Sequence, residues 1–214
     1  MSNSIVNGEG WIDISVPVSE QMVVFAYEQK PRFERRAAME RGDMGNNSTT
    51  HMGIHTGTHL DAPRHGIIDG KTIDKMPLSD AIGAARVIEI KDCESVKAQE
   101  LRQYQFTRGE RVLFKTKNSA RCWKTSDFVP DFVYIATDAA QILVDSGVKL
   151  VGIDYLSVGG PPETHKIFLS AGVWLLEGLD LSAAKAGNYN LLCLPLKLMG
   201  VEGSPVRAAI QPLP

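Results

Sequence analysis

The chain has 214 residues, with 23 Lys and Arg against 25 Asp and Glu, a formal net charge of −2. Hydrophobic residues at 43% and charged residues at 22% exclude a disordered, collagenous or coiled-coil chain, and the length suits one domain over residues 1–214 with a sizeable core. No basic block points to nucleic acid, and no run of about 18 apolar residues points to a membrane as partner. The first ten residues have neither the basic start nor the apolar stretch of a signal peptide, so a cytoplasmic protein is expected.

In chain order, residues 11–18 alternate apolar and polar side chains and predict a strand ending near Pro17. Residues 28–49 are charged and polar, with Gly42 and Gly45, and read as a long loop or a short helical piece of the kind that covers a site. Residues 85–91 and 111–117 are β-rich runs on either side of a polar helical stretch near residues 97–104. Residues 137–146 predict a helix, with Thr137 as its cap, Asp138 in the first turn, Ile142 and Leu143 on the apolar stripe and Gly147 as the stop. It leads into a buried-strand pattern over residues 149–155. Residues 163–170 read as a helix, and residues 173–177, 189–198 and 206–210 as strands. About seven strands and three or four helices in mixed order make an α/β or α+β domain. Cys93, Cys122 and Cys193 are odd in number and far apart, with no C-x-x-C, and read as free thiols.

Four of the five histidines fall between residues 51 and 65: His51, His55, His59 and His65. Histidine is the commonest metal ligand. Thr56-Gly57-Thr58 and Pro63 are poor helix material, so His55 and His59 are placed at a strand end turning into a loop, with Gly57 allowing both imidazoles to converge. Asp61 lies two residues beyond His59, on the same face of an extended chain. Two imidazoles and a carboxylate suit Zn²⁺, Mn²⁺ or Fe²⁺. His51 reads as structural, although strand parity would also let it support His55 from behind. The remaining histidine, His165, lies in a helical stretch. Glu177 follows three apolar residues on an interior strand, where a carboxylate is costly unless it binds a cation or pairs with an arginine.

The run from His55 to His65 resembles the H-x-G-T-H-x-D-x-P-x-H signature of the cyclase family of metal-dependent hydrolases, which includes bacterial kynurenine formamidase and isatin hydrolase. The likeness covers nearly the whole chain. Trp-Ile-Asp-Ile-Ser-Val-Pro-Val from Trp11 looks like the family's first strand, Gly-Ile-Asp-Tyr-Leu-Ser-Val from Gly152 its central one, and Gly-Ser-Pro-Val-Arg-Ala from Gly203 its closing one. The resemblance implies a compact mixed β-sheet or barrel-like core with flanking helices, of the swivelling β/β/α kind, assembled as a homodimer or homotetramer. It implies that His55, His59 and Asp61 hold one metal, that Asp61 bridges to a second held by His165 and Glu177, and that His65 is the general acid/base. Kynurenine formamidases carry Trp-Pro-Gly-Asp after the first strand, where this chain has Phe-Ala-Tyr-Glu from Phe25; Phe25 then supplies an aromatic wall for substrate. Residues 156–164 also lack the Pro-Ser-Val-Asp-Pro run of that activity.

The implied reaction is hydrolysis of an aryl formamide or a small cyclic amide by water activated on one or two zinc or manganese ions. One alternative is a non-haem Fe(II) oxygenase using His59, Asp61 and His165; another is a non-catalytic metal-binding protein with a closed ligand shell. No G-x-S-x-G is present for a serine hydrolase, and Gly159-Gly160-Pro161-Pro162 reads as a turn shaping the pocket rather than a phosphate cradle.

Overall fold

Alternation of side chains sets the layering. In the computed structural model, which describes residues 10–213, the strand Arg111–Lys115 sends Leu113 to one core and Val112 and Phe114 to another, with all three fully buried. Only a strand covered on both faces tolerates that pattern. Along the chain run β1 (Ile12–Asp13), β2 (Arg32–Ala37), β3 (Asn47–His51), β4 (His59–Asp61), α1 (Leu78–Ala81), β5 (Ile82–Glu89), β6 (Ser95–Val96), α2 (Ala98–Leu101), β7 (Arg111–Lys115) and α3 (Asn118–Arg121). There follow β8 (Tyr134–Ile135), α4 (Thr137–Asp145), β9 (Leu150–Ile153), α5 (Pro162–Ser170), β10 (Trp174–Glu177), β11 (Gly187–Pro195) and β12 (Gly203–Pro212).

The main sheet has the order β1-β12-β11-β5-β7-β9-β10-β4, and β4 pairs with β12 as well, which closes it into a barrel. β5, β7, β9 and β10 run parallel, while β11, β12 and β4 pair antiparallel with their neighbours. Leu60, Leu113, Leu150, Leu176, Leu191 and Ile210 belong to the inner core. A second core joins Val112, Phe114, Val151 and Leu175 to Leu101, Leu143, Phe168 and Leu169 from the helices. The mixed α/β class with a barrel-like sheet is therefore as expected.

Three local expectations change. The first strand shortens to Ile12–Asp13, because Ser15 turns aside: its hydroxyl donates to Ala208 O and accepts from Ala208 N, and its backbone bridges to Leu179 instead. Residues 28–49 are only in small part the expected loop or helical piece, the helical part being confined to a 3-10 turn at Met39–Arg41. They carry most of an antiparallel arm, β2 against β3, with Gly42 in a left-handed conformation (φ 89°) between them. Neither strand has a fully buried residue, and Phe33 and Ala37 are their only apolar side chains, so no buried alternation announces them. In α4 the cap position falls on Ala136, without a side-chain cap, and Thr137 is already helical. Among the described residues no helix is long and apolar enough to cross a membrane.

Candidate metal centre

The site grows out of the pairing of β4 with β10. His59 lies opposite Glu177, Leu60 opposite Leu176, and Asp61 opposite Leu175. Since Leu60 and Leu176 point into the barrel, strand alternation sends His59, Asp61 and Glu177 to the other face, where α5 brings His165. The expected turn is present: Gly57 takes φ +64° and puts His55 back over the strand. Thr58 ties the two segments of the cluster together, its hydroxyl donating to Gly178 O and accepting from Val16 N. A Cβ on Gly178 would collide with Gly57 O, and Gly178 has φ +71°, so only glycine fits beneath the site.

His55, His59, Asp61, His65, His165 and Glu177 converge. His55 Nδ1 is 2.7 Å from Asp61 Oδ1, and His59 Nε2 is 3.5 Å from the same oxygen. His59 Nε2 is 3.3 Å from Glu177 Oε2, and His165 Nε2 is 3.2 Å from Glu177 Oε1 and 4.0 Å from Asp61 Oδ2. His65 Nε2 stands 3.9 Å from Asp61 Oδ2. Glu177 has no arginine partner; its other contact is the Val158 N–H, which donates to Oε1 at 2.6 Å. His51 is elsewhere, exposed at the end of the arm and 3.9 Å from Glu34, so it supports none of the site.

Burial pulls the pKa of His55 down, yet the hydrogen bond and charge of Asp61 outweigh it and raise His55 to about 9. For His59 and His165 burial is likewise overcome by Glu177 and Asp61, and both are raised. Burial alone would raise Asp61 and Glu177. The imidazoles reverse this and hold both carboxyls low, despite the repulsion of Asp61 by Glu177. His65 goes the other way, lowered by burial and by His55 and His165 against the pull of Asp61. A field that raises imidazoles and keeps carboxylates charged is one that attracts a cation.

Two buried atoms test whether a metal fits. Among the described residues, His59 Nε2 and Asp61 Oδ2 are buried without a hydrogen-bond partner, a costly state for polar groups shut off from water. His59 Nδ1 donates to Gly57 O at 2.9 Å, which leaves the Nε2 lone pair free and aimed at Asp61 and Glu177. That is the tautomer lock typical of metal-binding histidine. Donor atoms of His59, Asp61 and Glu177 lie within 4.8 Å of one another, as do those of His55, Asp61 and His65. Asp61 belongs to both groups, and the nitrogen–oxygen donor set fits a divalent cation. Beside the cluster opens a cavity of about 340 Å³, walled by Phe25, Leu156, Pro161 and Pro162 and edged by Tyr27, Glu28, His65 and Ser157.

The Cyclase family model matches residues 12–159. The kynurenine formamidase of Bacillus cytotoxicus is 33% identical over 207 residues, covering 95% of this chain and 98% of that protein. The chain belongs to the cyclase family. Among solved structures, a potential metal-dependent hydrolase with cyclase activity superposes with a TM-score of 0.83 at 33% identity, covering 95% of this chain and 98% of that one. Isatin hydrolase A from Labrenzia aggregata, bound to benzyl benzoate, shares the fold at a TM-score of 0.79 and 21% identity, covering 94% and 93%.

Sequence reasoning passed over Thr58 and Gly178, whose roles need the β4–β10 contact to be seen. It also passed over Tyr27 and Glu28, although the family comparison at Phe25 had already drawn attention to that segment.

Proposed function

We propose that this cyclase-family protein is a metal-dependent hydrolase of a carbon–nitrogen amide bond, in an aryl formamide or a small cyclic amide of the isatin kind. The observation that carries the reading is the pair of orphaned atoms, His59 Nε2 and Asp61 Oδ2, beside an apolar-walled cavity of small-molecule size. The kynurenine formamidase relatives support the reaction class.

His55, His59 and Asp61 would hold one divalent ion, zinc or manganese, and Asp61, His165 and Glu177 a second. Such an ion polarises a carbonyl oxygen and lowers the pKa of its bound water towards neutrality. Phe25, Leu156, Pro161 and Pro162 receive the flat apolar part of the substrate and keep water from it. His65 also lies within reach of His55 and Asp61, but with 35% of its side chain exposed on the cavity wall we assign it to moving a proton rather than to holding the ion. The lowered pKa of His65 keeps it neutral near pH 7, able to accept a proton and then pass it to the leaving nitrogen. The oxygenase alternative would use His59, Asp61 and His165 and leave His55 and Glu177 idle, although both stand in the same cluster. We also propose a homo-oligomer, consistent with Phe33, Met39 and Met44 exposed on the arm; light scattering on the purified protein tests it.

The test is an anaerobic assay of protein loaded with zinc or manganese, with N-formylkynurenine and isatin supplied side by side. Hydrolysis of either supports the reading. Turnover that requires oxygen, or none of either with metal bound, overturns it.

A further inference from the structure

The cavity mouth carries a feature that amide hydrolysis does not require. Residues 25–28 form a turn, with Glu28 N donating to Phe25 O at 2.9 Å. The Phe25 ring meets Tyr27 edge-on at 5.0 Å and is backed by Phe128 at 4.9 Å. Tyr27 is 82% exposed although it lines the cavity. Glu28 is half-buried, and its carboxylate has neither an ion pair nor a hydrogen bond among the described residues. Bare Gly53 makes room for it: a Cβ there would collide with Glu28 Oε2.

None of the residues lining the cavity is Lys or Arg. A substrate carboxylate therefore meets no lysine or arginine among the described lining residues, whose imidazoles belong to the metal cluster, while a cation at residues 25–28 meets a free carboxylate and two aromatic rings. Aromatic faces and a carboxylate together are the groups that bind organic ammonium ions.

We propose that Glu28, Phe25 and Tyr27 form a subsite at the cavity mouth for an organic ammonium group, making Glu28 the residue that selects amine-bearing over anionic substrates. The carboxylate is directed by the turn at residues 25–28 and by contact with Gly53, so both its charge and its placement set the preference. The subsite deepens the amide-hydrolase reading, and its kinetic test rests on that reading.

The experiment compares metal-loaded wild-type protein with Glu28→Gln and Gly53→Ala on formanilide, 3-(aminomethyl)formanilide and 3-carboxyformanilide. In parallel, binding of benzylammonium and of benzyl alcohol is measured by calorimetry, with circular dichroism confirming that each variant is folded. The expected result is a kcat/KM ratio favouring the aminomethyl substrate over formanilide. That ratio falls about tenfold in Glu28→Gln, mainly through KM, and by less in Gly53→Ala, which keeps the charge but moves it. Benzylammonium binding should weaken about tenfold in Glu28→Gln relative to benzyl alcohol. An unchanged ratio, or unchanged relative binding, overturns the subsite. If the wild-type protein hydrolyses none of the three formanilides, the kinetic arm yields no ratio, the reaction reading stands or falls on N-formylkynurenine and isatin, and benzylammonium binding alone decides for or against the subsite.

Discussion

The two faces of β4 and β10 are made from alternate residues of the same short strands, and they differ in one respect. Leu60 and Leu176 face the barrel interior, are fully buried and lack nothing. His59, Asp61 and Glu177 face α5 and are just as dry, at 1%, 0% and 3% exposure, yet His59 Nε2 and Asp61 Oδ2 have no hydrogen-bond partner among the described residues. Burial by itself thus fails to separate core from site. What separates them is whether the buried groups are satisfied without a further atom.

The comparison breaks most visibly at Asp61. Asp61→Ala removes the residue common to both donor groups. Elemental analysis should show the metal lost, and turnover should fall at least about 10³-fold, because polarisation by the cation contributes several kcal/mol. Full metal content in that variant would take Asp61 out of the ligand set. His65→Ala sharpens the picture: metal content should stay while kcat drops about 10²–10⁴-fold, the usual contribution of a positioned acid/base. Undiminished turnover would remove His65 from proton transfer.

One residue along the strand the expectation inverts. Leu60→Ala should destabilise the fold by about 2–5 kcal/mol through a cavity in the inner core, measured by urea unfolding, with metal still bound to the folded fraction. The smallest effect belongs to Arg207, 74% exposed, whose guanidinium pairs with Asp13. Burial pushes the Asp13 carboxyl up, but Arg207 and the Ser15 backbone outweigh it and hold its pKa below the usual value. A depressed carboxyl favours folding above its unfolded pKa of about 3.9, and that advantage fades as pH falls through the lower folded value. Arg207→Ala should therefore cost less than about 1 kcal/mol at pH 7 and progressively less as the pH drops below 4, or in high salt, by the same unfolding measurement.

The site was far more legible in the sequence than the fold around it. His55, His59, Asp61 and His65 are close neighbours in the chain, so their chemistry shows without any tertiary contact. Glu177 betrayed itself as a charge closing an apolar strand. Barrel closure was implied only by the family resemblance and not by local pattern, since it depends on a three-residue strand, β4, reaching β12 from far along the chain. The arm of β2 and β3 was hidden for the opposite reason: it has no buried face to leave a periodic trace. Glu28 emerged only when folding placed its carboxylate against Gly53 and beside the cavity.

The central claim is that a divalent ion sits where those two buried atoms point. Crystals soaked in zinc or manganese and measured at the metal's absorption edge address it directly. The account requires an anomalous peak about 2.0–2.3 Å from His59 Nε2 and from an Asp61 carboxylate oxygen. A map with no peak there, and with His59 and Asp61 turned to protein or solvent partners instead, would contradict it.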